Sequence, residues 1–227
     1  MKEAGVRMDG IALVSGGKDS IYAMYIAMQH GIEIKRIVNI IPEEFSFMYH
    51  FPNVHVVKLI SEAIGIEIDQ YRISDNPDEL KDILSNYEEK VIVSGAIESD
   101  YQKTRLERIS TELNKIHYSP LWRKDPFLLL NELIIANFRT IFVSISAEGL
   151  DERFLGREIN IDMIKTLRSL NEKYKIHPSG EGGEYETLVL DCPIFRKKIK
   201  ILKSEIILRG NYGIFDIKEA ILDEKNK

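Results

Sequence analysis

The first half of the chain alternates short apolar runs with stretches whose apolar residues recur every three or four positions. The runs 11–14, 34–41, 66–73 and 91–94 read as strands, and 20–30, 54–64, 77–87 and 100–116 as helices. In the first helix Ile21, Met24, Tyr25 and Met28 share one face, a stripe that packs into a core. Strand–helix alternation predicts a parallel sheet with helices on both faces and right-handed crossovers, a Rossmann-like α/β domain. Ligands in such sheets bind where the strand order switches, beyond the carboxyl ends of the strands. The pattern changes near Tyr118-Ser119-Pro120-Leu121-Trp122, where Pro120 and Pro126 would interrupt any helix. Beyond it 127–137 and 161–174 read as helices, and 140–145, 184–190 and 197–208 as strands. The expected organisation is an α/β domain over 1–119 followed by a smaller α+β domain over 120–227.

Composition narrows the class. The 227 residues are 44% hydrophobic and 30% charged, as in globular proteins that stay in water. A net charge of −5 without charge blocks argues against direct nucleic-acid binding. One cysteine, Cys192, excludes an internal disulfide and any multi-cysteine metal site, and reads as a small buried side chain. Neither a signal peptide nor a run of membrane-spanning length is visible, so the expected location is the cytoplasm, with no membrane partner.

Three motifs carry chemistry. Ser15-Gly16-Gly17-Lys18-Asp19-Ser20 joins the first strand to the first helix. A helix start after paired glycines offers backbone N–H groups and the positive end of the helix dipole to an anion. Ser15 and Ser20 add hydroxyls, and Lys18 a full charge. The spacing fits neither G-x-x-x-x-G-K-[ST] nor G-x-G-x-x-G. It resembles the PP-loop of the ATP pyrophosphatases; the plain alternative is a helix capped by Ser15 and Asp19. Gly95-Ala96-Ile97-Glu98-Ser99-Asp100-Tyr101-Gln102-Lys103-Thr104-Arg105 follows the fourth strand. Asp100 is placed to cap the helix there, and Arg105 to hold a phosphate or carboxylate in its planar fork, unless it belongs to a solvated basic face. Ser179-Gly180-Glu181-Gly182-Gly183-Glu184-Tyr185-Glu186-Thr187 is an acidic turn entering a strand. If the strand starts at residue 184, Glu184 and Glu186 share a face, where their repulsion calls for a cation, a metal or a proton. A charged hairpin edge that discourages aggregation is the equal alternative.

Together and in this order, the three motifs resemble the diphthine–ammonia ligase family. Met48-Tyr49-His50, Pro120-Leu121-Trp122 and Leu155-Gly156-Arg157 also match its segments, so the likeness runs from about Gly10 to Phe195. The resemblance implies a PP-loop domain that binds ATP and a C-terminal domain that binds substrate. The implied reaction is ATP-dependent amidation of diphthine on translation elongation factor 2 with ammonium. It gives diphthamide, AMP and pyrophosphate through an acyl-adenylate. ATP and Mg²⁺ are the implied cofactors. Ser15, Gly16, Gly17, Lys18, Asp19 and Ser20 would hold pyrophosphate, with Asp19 also a metal ligand and Gly95 facing them. Asn39 and His50 are candidates for the adenosine end. Asp100, Tyr101, Gln102, Arg105, Glu181, Gly182, Gly183, Glu184, Tyr185, Glu186 and Thr187 would contact substrate. Lys18, Asp19, Glu184 and Glu186 would carry catalysis. Glutamates beside a tyrosine suit a trimethylammonium group, or one of them accepts a proton from ammonium. The family's eukaryotic members are expected to carry further C-terminal domains, and the apolar second domain is compatible with a homodimer. An enzyme adenylating a tRNA base and a non-catalytic adenine-nucleotide sensor are the alternative readings.

Overall fold

The computed structural model describes residues 8–42, 53–74 and 76–225. The first sheet contains β1 (Met8–Leu13), β2 (Ile32–Pro42), β3 (Ile68–Ile73), β4 (Val91–Val93) and β5 (Ile116–Tyr118), all parallel, in the order β3-β2-β1-β4-β5. The chain runs outward from β1 to β3 and then crosses back to β4 on the other side of β1. The carboxyl ends of β1 and β4 are therefore neighbours at the switch point, where a ligand crevice opens. Helices α1 (Lys18–Gln29), α2 (Val56–Ile64), α3 (Pro77–Ser85) and α4 (Asp100–Glu112) connect these strands.

Local chemistry sets the helix ends. Asn76 caps α3 by accepting the Asp78 N–H, and Asp125 caps α5 (Pro126–Ile135) by accepting that of Leu128, each with proline in the first turn, where no N–H is needed. Pro126 thus opens a helix. α4 is shorter than the apolar pattern suggests: it ends at Glu112, Asn114 turns left-handed (φ 53°), and residues 116–118 leave as β5.

The second sheet is antiparallel, in the order β7-β6-β9-β8, from β6 (Arg139–Ile145), β7 (Tyr185–Asp191), β8 (Lys198–Arg209) and β9 (Tyr212–Asp223). β9 was not expected from the sequence. A 3₁₀ turn at Glu152–Phe154 and α6 (Ile161–Tyr174) lie between β6 and β7.

One apolar cluster passes through both sheets, joining Ala12, Ile21 and Met24 to Leu129, Phe142, Leu188 and Ile217. A second, smaller one covers the other face of the parallel sheet around Ile11, Val38, Ile92 and Ile109. The Asn53 amide fastens α2 to β9, donating to the Phe215 carbonyl (3.0 Å) and accepting from the Ile217 N–H (2.8 Å).

Candidate active site

The glycine-rich loop enters α1 through Gly17, its N-cap residue, which supplies no side-chain cap. Gly16 stands at φ +94°, a left-handed conformation that glycine adopts without strain. Ser20 braces the loop from within: its hydroxyl lies 3.2 Å from both the Ser15 N and the Ser15 Oγ, and 3.0 Å from the Gly17 carbonyl. β7 then zips onto the loop from the other sheet. The Val189 N–H donates to the Gly16 carbonyl at 3.0 Å, and the Lys18 N–H to Thr187 Oγ1 at 3.1 Å. On the opposite side the turn after β4 presses against the start of α1. A Cβ on Gly95 would lie 2.7 Å from the Asp19 carbonyl carbon and the Ser20 nitrogen, so only glycine permits that approach.

Between these parts lies a cleft of about 510 Å³ with two chemically distinct ends. Leu13, Val38, Ile40, Ile73, Leu80 and Leu106 line an apolar end, which suits a flat base. Ser15, Asp19, Ser20, Ser99 and Glu181 line a polar end, which suits phosphates, while the Arg105 guanidinium reaches to the start of α3 and donates to the Asn76 carbonyl at 3.2 Å. A larger hollow of about 790 Å³, between the start of α2 and the β8–β9 hairpin, reaches no part of the glycine-rich loop.

The charges at the polar end are unevenly satisfied. Lys18 is buried and turned toward the second sheet, its Nζ 2.8 Å from Asp19 Oδ2, 2.5 Å from the Ser179 carbonyl and 5.4 Å from the Tyr185 ring centroid. It therefore anchors the acidic turn and does not line the cleft. Asp19 Oδ1 is buried without a hydrogen-bond partner. Glu181 faces the same space, and burial, reinforced by the Asp19 charge, pushes its carboxyl up to about 6. The orphaned Asp19 oxygen, with a second carboxylate facing the same space, fits a divalent cation whose remaining ligands come from phosphate and water. Among the described residues no group of three or more His, Cys, Asp or Glu side chains could hold a metal without such help.

His177 organises the turn. Its Nδ1 lies 3.3 Å from the Ser179 N–H and 3.4 Å from that of Glu181 and accepts from both, which puts the ring proton on Nε2, 3.2 Å from Glu98 Oε2. The Glu98 backbone in turn hydrogen-bonds the Glu181 carboxylate. One imidazole thus ties the turn before β7 to the loop after β4.

The remaining candidates fall in different places. Tyr101 and Gln102 line the cleft with Gly95, but Asp100 does not, and the cap of α4 is Ser99, which accepts the Gln102 N–H at 3.3 Å. Ser99 has the extended backbone that an N-cap needs, whereas Asp100 is already helical. Asn39 is buried outside the cleft, donating to the Val14 carbonyl (2.8 Å) and accepting from Gln70 (3.0 Å). His50 lies outside the described residues. β7 begins at Tyr185, so Glu184 folds back to accept the His177 N–H at 2.7 Å, while Glu186 is exposed on the strand. Gly182 and Gly183 are exposed at the tip of the turn. Tyr185 is buried, its hydroxyl donating to the Pro178 carbonyl at 2.5 Å, so its ring serves Lys18 and not a ligand. Cys192 is buried, and burial pushes its thiol up to about 12, far from a thiolate at neutral pH. Sequence reasoning missed His177, which stands alone ahead of a proline, and the apolar wall, whose residues read only as strand and helix core.

The strand order, the glycine-rich loop at the switch point and the two-ended cleft define a doubly wound α/β protein with an appended antiparallel sheet. Residues 8–115 match the diphthamide synthase N-terminal domain and residues 125–222 the diphthamide synthase C-terminal domain. The chain belongs to the diphthamide synthase family. It is 34% identical over 227 residues to the diphthine–ammonia ligases of Mus musculus and Homo sapiens, spanning 88% of this chain and 85% of each relative. It is also 34% identical over 244 residues to that of Schizosaccharomyces pombe, spanning 96% of this chain but 40% of the relative. The expectation of further length in eukaryotic members thus holds for the fission-yeast protein and not for the mammalian ones. A solved structure described as a predicted subunit of tRNA methyltransferase from Methanocaldococcus jannaschii superposes with a TM-score of 0.47 at 15% identity, over 82% of this chain and 98% of that one. No helix among the described residues is long and apolar enough to cross a membrane.

Proposed function

We propose that this chain is an ATP-dependent diphthine–ammonia ligase, with elongation factor 2 bearing diphthine as its protein substrate and ammonium as nitrogen donor. The observation that carries the reading is the two-ended cleft whose polar end gathers Asp19 Oδ1 and Glu181 beside the glycine-rich loop. A carboxylate is a poor electrophile, so amidation needs an activated acyl group, and a site that grips a departing pyrophosphate suits that need. A carboxylate oxygen of diphthine attacks the α-phosphorus of ATP; the bond to the bridging oxygen breaks, and pyrophosphate leaves with the electron pair. Ammonia then adds to the acyl carbon, and AMP leaves with the acyl–oxygen bond pair. The Ser15 hydroxyl, braced by that of Ser20, holds the phosphates in line at the glycine-rich loop. Asp19 would hold Mg²⁺ together with phosphate, and the ion would supply charge neutralisation for the departing pyrophosphate. Glu181 is suited to accept the proton that nitrogen loses after addition, because its carboxyl titrates closer to neutrality than an ordinary glutamate.

The test combines ATP, Mg²⁺, isotope-labelled ammonium and elongation factor 2 carrying diphthine. Label in the factor with an equal amount of AMP is the expected result. Asp19→Ala is expected to lower both by on the order of a hundredfold. AMP formed only with tRNA, or tight nucleotide binding without turnover, would overturn the ligase reading in favour of one of its rivals.

A further inference from the structure

β8 is the outer strand of the second sheet and is twelve residues long. Residues 202–206 are all exposed, and Leu202, Ile206 and Leu208 show 48%, 48% and 52% of their surface to solvent. An edge strand of this length with apolar side chains is a template for another strand unless charges keep partners away. Lys200, Lys203 and Glu205 are such charges. Their order has a second consequence: among antiparallel registers that pair more than five residues of β8, it matches itself in one; an axis at residue 207 also sets Glu205 against the partner's Arg209 but pairs only residues 205–209.

We propose that β8 pairs antiparallel with β8 of a second copy of this chain about a two-fold axis at Ser204, joining the two four-stranded sheets into one of eight strands. In that register Lys203 lies opposite the partner's Glu205, and by symmetry Glu205 lies opposite the partner's Lys203. Leu202 meets the partner's Ile206, and Ile201 the partner's Ile207. Other registers lose this match. An axis at residue 203 or 205 sets Lys203 or Glu205 against its own copy, and an axis at 206 sets Lys203 against the partner's Arg209. With the axis at 202, both charges face isoleucine. The charges that repel foreign or shifted strands thus select the strand's own copy, a repulsive device that serves specificity. Glu205 is already 2.7 Å from Lys218, so the partner's Lys203 extends an existing ion-pair network. The ladder to β9 is irregular between Ile201 and Ser204. Such a bend increases twist and excludes flat strands; in the proposed dimer the two bends sit symmetrically about the axis.

Light scattering coupled to size exclusion, at tens of micromolar, is expected to show a dimer. Lys203→Glu sets like charges together at both ends of the contact and is expected to weaken dimerisation at least tenfold. Glu205→Lys does the same, and the double exchange restores the dimer. Ser204→Cys tests the register directly, because residues opposite one another in an antiparallel pair have Cα atoms about 4.5–5.5 Å apart, within disulfide reach. Mild oxidation is expected to cross-link Ser204→Cys but not Leu208→Cys, whose counterpart is Lys200; the native Cys192 is buried. A monomeric wild-type chain, or a dimer indifferent to both charge reversals and without the Ser204→Cys cross-link, overturns the proposal. An unchanged melting temperature of each variant monomer verifies that these exposed substitutions leave the fold intact.

Discussion

Glu181 links the acidic turn to the cleft, and its carboxyl makes a prediction with a definite sign. Burial raises it from 4.5 to about 6, so between those values the folded chain binds more protons than the unfolded one. Stability therefore falls as pH rises through that window, by on the order of 1 kcal/mol at neutral pH because the partly exposed carboxyl is screened by solvent. Glu181→Gln is expected to raise the melting temperature at pH 7 by a few degrees and to flatten its change between pH 4.5 and 6. The same substitution is expected to lower amide formation by about a hundredfold or more, because the residue loses both charge and basicity. Stability and activity moving in opposite directions would mark a site that holds strain for function; activity left intact would remove Glu181 from the chemistry. The motif around Glu181 was legible because three glycines and three glutamates in nine residues are an uncommon pattern. The role of each glutamate was not. Glu184 turns to the His177 N–H because the strand starts one residue later than the pattern suggests, and only tertiary structure brings Glu98 to His177.

At the scale of elements, the site depends on a loop of one sheet being zipped to a strand of the other. Thr187 Oγ1 accepts the Lys18 N–H, a donor at the start of α1 that would otherwise be buried without a partner. Thr187→Val keeps the shape and removes the acceptor, and is expected to cost about 1–3 kcal/mol in chemical denaturation. Thr187→Ser is expected to recover most of that loss. Nucleotide affinity, measured by calorimetry, is expected to fall with Val and return with Ser; equal affinity in all three would mean that the zipper serves stability alone. The strands and helices flanking this contact were legible, since four apolar runs and the helices between them match β1–β4 and α1–α4 to within a few residues. β5 and β9 were not. β5 has only three residues, and its existence depends on Asn114 ending α4 early; β9 mixes apolar and charged positions because its second half, from Lys218 on, is exposed or half-buried. Short or amphipathic strands are defined by the neighbour they pair with, which periodicity does not contain.

For the whole molecule, the two sheets raise the question of how many units melt. The change of pattern near Pro120 separates a parallel from an antiparallel sheet, yet the main apolar cluster does not stop there. Tyr22 of α1 donates to Glu132 of α5 at 3.0 Å and meets Phe138 edge-on at 5.3 Å, and Leu129 and Phe142 pack into the same cluster as Met24. Removing either part would expose large apolar surfaces on the other, so neither sheet has a complete core alone. The full chain is expected to unfold in a single calorimetric transition, and residues 1–119 by themselves to show no cooperative melting. Because the cleft belongs to the first sheet while Glu181 comes from the turn entering the second, nucleotide binding stabilises both together. With Mg·ATP at about a hundred times its dissociation constant, the gain is about 2.7 kcal/mol, or roughly 5–10 °C in a chain of this size. A shift of the whole transition is expected. Two transitions, only one of them moved by nucleotide, would mean that the sheets are energetically separate and that the zipper at Thr187 and Gly16 closes only when ligand is bound.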